Sequence, residues 1–175
     1  MNELFTLTAI VGIITSGLRL ATPYLFAALG EMFAQRSGVV NLGVEGIMLM
    51  GAFSGYYALL HTGNPWLGLL VALVVGALMG LLMAVISVTM QAEQGISGIG
   101  LSLFGLGLSS LLMKVLVGTP TGVTGFQEIH FPVLSDIPVL GELFFNYTIL
   151  TYAAFLLVPI TWWVLTRTTL GLKIR

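Results

Sequence analysis

Asn41 and Glu45 stand four residues apart in a part of the chain that offers few other polar side chains. On a helix that spacing puts a carboxamide and a carboxylate on one face. Glu45 is followed by residues 46–92, 47 positions without an Asp, Glu, Lys or Arg. An ionisable group beside so long an apolar run must face protein or water, and it marks a candidate path for a polar solute or an ion. Gly38, Gly43, Gly46 and Gly51 surround the pair. Glycine at this density loosens a helix or lets a second backbone approach closely. A broken helix beside polar groups is a common way for carriers to line a substrate path. The plainer alternative sets Glu45 near the cytoplasmic interface, paired with Arg36 or Arg19. Arg19 lies near the middle of the first apolar segment, four residues before Pro23. A buried arginine needs a partner, so an inter-helix pair with Glu45 is the expected arrangement. Contact with a passing solute and a snorkelling side chain are the alternatives for Arg19.

Other chemistry finds little support. Ser97, Ser102, Ser109 and Ser110 offer hydroxyls, but serines in membrane helices more often bond their own backbone. Gly51-x-x-x-Gly55 and Gly76-x-x-x-Gly80 have the spacing of close helix contacts. Gly95-Ile-Ser-Gly98-Ile-Gly100 lacks the order of a dinucleotide fingerprint, and no GxxxxGK[ST] loop occurs. His61 and His130 have no clustered partners for a metal, and cysteine is absent. No set of nucleophile, base and orienting group can be assembled. The chain is therefore expected to be neither an enzyme nor the holder of a cofactor. A formal net charge of −1 offers no basic surface for nucleic acid.

The elements that position these residues follow from hydropathy. Charged residues are 7% and hydrophobic residues 57%, against a usual charged share of about 25%. Mean hydropathy is +1.05. A hydrocarbon core roughly 30 Å thick needs about 20 apolar residues per helix. Five spans fit, over about 4–30, 40–60, 66–90, 96–117 and 147–166. All are expected to be helical, because only a helix satisfies its own backbone in hydrocarbon, and no alternating barrel pattern occurs. The first segment follows Met1-Asn2-Glu3 with no basic leader, and is read as a retained span. Arg36, Arg167, Lys173 and Arg175 fall on one side of this arrangement, with Lys114 at the edge of the other. The positive-inside rule then sets the N-terminus outside, with the His61–Pro65 turn and the long connection 118–146. Trp66 and Tyr147 would sit at the outer interface, Trp162 and Trp163 at the inner one. Pro120, Pro132 and Pro138, with four glycines, forbid a long helix in the outer connection. Its Phe126, Ile129, Phe131 and Val133 would hold it against the helices. No internal repeat or linker divides residues 1–175, which are read as one membrane domain.

The segment Arg36-Ser-Gly-Val-Val-Asn-Leu-Gly-Val-Glu-Gly-Ile-Met-Leu-Met-Gly-Ala52 closely resembles a stretch in bacterial ABC-importer permeases. The family is the branched-chain amino acid, ribose and nucleoside permease group. Leu18-Arg-Leu-Ala-Thr-Pro23 and Ala28-Leu-Gly-Glu31 resemble the first helix of its nucleoside branch, and Val44-Glu45-Gly46 is most like that branch. Arg167-Thr-Thr-Leu-Gly-Leu-Lys-Ile-Arg175 resembles the approach to the cytoplasmic loop that docks on the ATPase. The resemblance implies an all-α polytopic bundle of the inner membrane. It implies a substrate pathway lined or braced by Arg19, Asn41 and Glu45. Arg167, Gly171, Lys173 and Arg175 would lead into the coupling loop. The implied partners are an ATP-binding subunit, a second permease, an extracytoplasmic substrate-binding protein and the lipid bilayer. Members of the family usually continue past this point, so the chain is expected to be the N-terminal part of a permease. Nucleosides are the first substrate expectation, with sugars or branched-chain amino acids behind them. A self-sufficient carrier using Glu45 and Arg19 as a relay, and a non-transporting fragment, are the readings from other classes.

Overall fold

The computed structural model describes residues 7–130 and 140–174. Its main elements are helices: α1 (Leu7–Arg36), α2 (Val44–Thr62), α3 (Pro65–Ala84), α4 (Gln94–Leu112), α5 (Leu140–Phe144), α6 (Ile149–Arg167) and α7 (Thr169–Lys173). α3 and α4 each run on through a π-helical turn, Val85–Thr89 and Met113–Val117. Two short strands, β1 (Glu128–His130) and β2 (Asn146–Thr148), pair antiparallel, with Ile129 opposite Tyr147. The expected all-α membrane class holds, and the ribbon is a small addition to it. Among the described residues of the connection 118–146 there is no long helix, as its prolines and glycines led one to expect. Phe131, Pro132, Val133, Asp136 and Pro138 of that connection lie outside the described residues, as do Met1, Asn2 and Glu3.

Local signals set the helix ends. Gly38 (φ 82°) takes the left-handed conformation that ends α1. Gly63 does the same for α2 at φ 65°, its N–H bonded to Leu59 O. Asn64 then caps α3, accepting from Trp66 N at 2.9 Å, with Pro65 in the first turn where no N–H is needed. Glu93 caps α4 by accepting from Gly95 N and Ile96 N, and those two bonds hold its carboxyl below the usual carboxylate range.

Contacts gather the chain into two compact units, one of Met1–Gly30 with Phe126–Ile174 and one of Glu31–Gly125. In the second unit α2 packs on both α3 and α4. Its core is Met50, Met79, Met83 and Leu101, bordered by Ile47, Val75, Leu108 and Leu112. Most other large apolar side chains point outward, among them Leu70, Leu73, Leu78, Leu81, Leu103 and Val115. That pattern suits hydrocarbon and would be intolerable in water. Glycines carry the close contacts. Gly55 meets Gly68 of α3, and Gly46 meets Gly105 of α4. Of the two spaced pairs read from sequence, only Gly51 and Gly55 face a helix backbone; Gly80 has nothing within 4 Å.

Four helical segments are long and apolar enough to cross a membrane: Ala9–Arg36, Pro65–Thr89, Gln94–Val117 and Ile149–Arg167. α2 has the length but not the apolarity, because Glu45, Tyr56, Tyr57 and His61 dilute it. It is nonetheless packed along two of the candidate spans, α3 and α4. Gln94 accepts from Val40 N at 2.8 Å and donates to Gly38 O at 3.4 Å, so α4 starts beside the turn that precedes α2. The stretch Pro65–Thr89 runs about 37 Å between those levels, and α2 lies along it in the opposite direction. Five crossings were expected, and four helices among the described residues meet the criteria of length and apolarity.

Candidate functional site

The stretch 36–52 folds as a helix stop, a turn and a helix start. Asn41 lies in the turn, outside α2. Its Oδ1 accepts from Gly43 N at 2.9 Å, and its own N–H donates to Glu31 Oε1 at 3.0 Å. The expectation that Asn41 and Glu45 share one helix face is therefore corrected. Asn41 spends its side chain on a local turn, as asparagine does before a helix N-terminus. Glu45 sits in the first turn of α2, exposed, where the helix dipole favours a carboxylate. Among the described residues its carboxylate has no hydrogen bond or ion pair. Glu31 and Gln94 hold the turn in place. Glu31 also accepts from Gln35 Nε2 at 3.2 Å.

Arg19 belongs to the other unit, and its partner there is Glu128, in place of the expected Glu45. The two close to 2.5 Å with side chains 47% and 48% exposed. Arg19 also donates to Asn146 O at 3.3 Å and lies 5.9 Å from the centre of the Tyr147 ring. These contacts come from the ribbon immediately before α6, so Arg19 is level with the start of that helix. It stands about 26 Å along α1 from Arg36, close to one hydrocarbon thickness. Tyr147 itself is buried, 2% exposed. Its hydroxyl donates to Leu143 O, and burial raises its pKa above the usual phenol value.

One turn further along α1, Thr22 and Thr151 hydroxyls meet at 3.3 Å, and Thr148 joins Thr151 at 3.3 Å. Beside them is a cleft of about 330 Å³. The serines of α4 behave differently. Ser97 and Ser109 bond Glu93 O and Leu106 O of their own chain segment, and Ser102 bonds Leu42 O. His61 bonds Tyr57 O, and no group of three His, Cys, Asp or Glu gathers among the described residues.

After α6 the chain turns back at Thr168. Its Oγ1 donates to Val164 O at 2.6 Å and accepts from Gly171 N at 3.4 Å, capping α7. Gly171 is buried against the carbonyls of Val164 and Leu165. Arg167 and Lys173 are exposed at either end of this elbow, and Arg175 lies outside the described residues.

Residues 13–175 match the profile of the branched-chain amino acid transport system / permease component family. The chain belongs to this family. It is a multi-pass membrane protein of that permease family. A candidate glucose ABC transporter permease of Haloferax volcanii is 39% identical over 93% of this chain and 50% of its own length. The guanosine ABC transporter permease of Bacillus subtilis is 38% identical over 93% of this chain and 54% of its own. The nucleoside ABC transporter permease of Lactococcus lactis is 36% identical over 100% of this chain and 57% of its own. The chain thus spans about half the length of these curated relatives. No solved structure matches it. In this permease the Arg19–Glu128 pair and the Thr22–Thr151 pair are not signalled by the sequence. Glu128 was visible only as one of three acids in a long connection, and its partner is 109 positions away in the chain.

Proposed function

We propose that this chain supplies the N-terminal part of a nucleoside-importing ABC permease. The observation that carries the reading is the pair of relatives named for guanosine and nucleosides, each matched over nearly all of this chain. The partners are an ATP-binding subunit, a second permease and an extracytoplasmic binding protein that delivers the solute. Movement follows alternating access, in which ATP-bound and ATP-free partners favour different states of the helices. Glu45, free at the start of α2, contributes to the pathway or to its inner mouth, while Asn41 braces that mouth through its turn. Arg19 braces the outer end through Glu128. α7 carries the motion of the ATPase to α6. The test is uptake of radiolabelled guanosine by the complete transporter in vesicles, competed with unlabelled guanosine and with glucose. Uptake of radiolabelled glucose with none of guanosine would move the assignment to sugars, the reading that the Haloferax relative favours.

Glu45→Gln removes the charge and keeps the shape. It is expected to lower uptake at least tenfold while membrane insertion, followed by fractionation, is unchanged. Uptake at the parental rate would take Glu45 out of the pathway. The orientation has its own test. With the N-terminus outside, a cysteine at position 63 is expected to react with an impermeant maleimide in intact cells. Reaction only after lysis would invert the arrangement.

A further inference from the structure

We propose that the cleft between α1 and the start of α6 is a transit station for a neutral, hydroxyl-bearing ring compound. The proposal rests on the importer reading and gives it a location. The cleft's volume of about 330 Å³ is at the small end of the ligand-pocket range of roughly 300–1,000 Å³. Apolar side chains come from both helices, Pro23 and Phe26 of α1 and Leu150 of α6, and Phe26 supplies an aromatic ring. Aromatic faces take flat or weakly polar rings by stacking. The same lining carries the hydroxyls of Thr22 on α1, Thr148 just before α6 and Thr151 on α6, linked at 3.3 Å and 3.3 Å. Thr22 also reaches Leu18 O, so its one proton is held inside the protein. Each hydroxyl keeps acceptor capacity, and hydroxyls in a chain strengthen one another in a water-poor site.

Charge narrows the ligand class. Arg19 also lines the cleft, but its guanidinium is neutralised by Glu128 and further held by Asn146 O. An anion would have to displace Glu128, and a cation would meet Arg19. A neutral polyol, sugar or nucleoside faces neither cost, and its hydroxyls can donate to the threonine oxygens. A site built to bond hydroxyls also rejects analogues that lack them, because its own polar groups are then left unmatched.

The chain contains no cysteine, so Thr148→Cys gives it a single thiol in the cleft. In the assembled transporter, in membrane vesicles, saturating guanosine is expected to slow maleimide modification of that thiol at least fivefold. A thiol placed at position 63 should react at the same rate with and without guanosine. Equal rates at position 148 with and without guanosine, in vesicles that take guanosine up, would overturn the proposal. So would a thiol that is slow in vesicles and fast in detergent regardless of guanosine, the mark of a lipid chain in the cleft. If Thr148→Cys assembles poorly, Phe26→Cys reads the cleft from α1 by the same measurement. Uptake by the unsubstituted transporter separates this proposal from the nucleoside reading. Guanosine uptake with an unprotected thiol sinks the cleft alone. Protection by glucose with no guanosine uptake keeps the cleft and sinks the nucleoside assignment.

Discussion

Gly105→Val should separate α4 from α2 and abolish uptake. The two helices cross where Gly46 and Gly105 face each other. A Cβ at Gly105 would overlap the backbone of Gly46, and one at Gly46 would overlap Leu101 O and Ser102 Cα. Gly98 continues the contact against Leu42. Overpacking a core with side-chain neighbours costs typically about 1–3 kcal/mol, since those neighbours can shift. Here the obstacle is main chain on both sides, and neither helix can move without exposing the Met50–Met83–Leu101 core. The expected result is loss of the folded fraction in detergent by thermal unfolding, and uptake at background. Gly100→Ala and Gly107→Ala are the controls. Neither position has an atom within 4 Å of an added Cβ, so both should unfold and transport as the parent does. A Gly105→Val protein that melts and transports normally would show that α2 and α4 do not cross at these glycines.

The membrane class was readable because hydrocarbon imposes one strong rule, a long apolar run for each crossing, and residues 46–92 obey it twice. Helix ends were readable where a residue type has one job: Gly63 and Asn64 mark the turn between α2 and α3 as their chemistry demands. The Asn41–Glu45 spacing misled because periodicity says nothing about whether a helix has begun. Asn41 is at home in a turn as well as on a helix, and Gly38 and Gly43 tip the choice toward the turn. Arg19 misled for a second reason. An arginine in an apolar run announces the need for an acid but not its address, and Glu128 is brought to it by a three-residue ribbon too short to show as alternation. The threonine chain was silent altogether, since Thr22, Thr148 and Thr151 meet only once α1 and α6 are side by side.

Gly171→Val is expected to uncouple the transporter while leaving its membrane part folded. α7 turns back on α6 because Thr168 bonds in both directions, to Val164 O behind and from Gly171 N ahead. The buried position of Gly171 lets α7 seat against the last turn of α6. A Cβ there would run into the carbonyls of Val164 and Leu165, which belong to α6 and cannot retreat without breaking its final turn. The elbow must then open and swing α7 away from α6. Under the proposed function this elbow leads to the contact with the ATP-binding subunit, so its angle matters more than its charge. Gly171→Val should therefore lower uptake at least tenfold and abolish stimulation of ATP hydrolysis by substrate. Insertion and thermal stability should stay near parental values, because α7 is five residues at the margin of its unit. Lys173→Ala, which removes an exposed charge from the same short helix, should cost about twofold at most, in line with the ~0–1 kcal/mol of a typical surface ion pair. Equal losses from the two substitutions would mean that the partner reads the lysine's charge and not the placement of α7. Parental coupling in Gly171→Val would remove α7 from the transmission path.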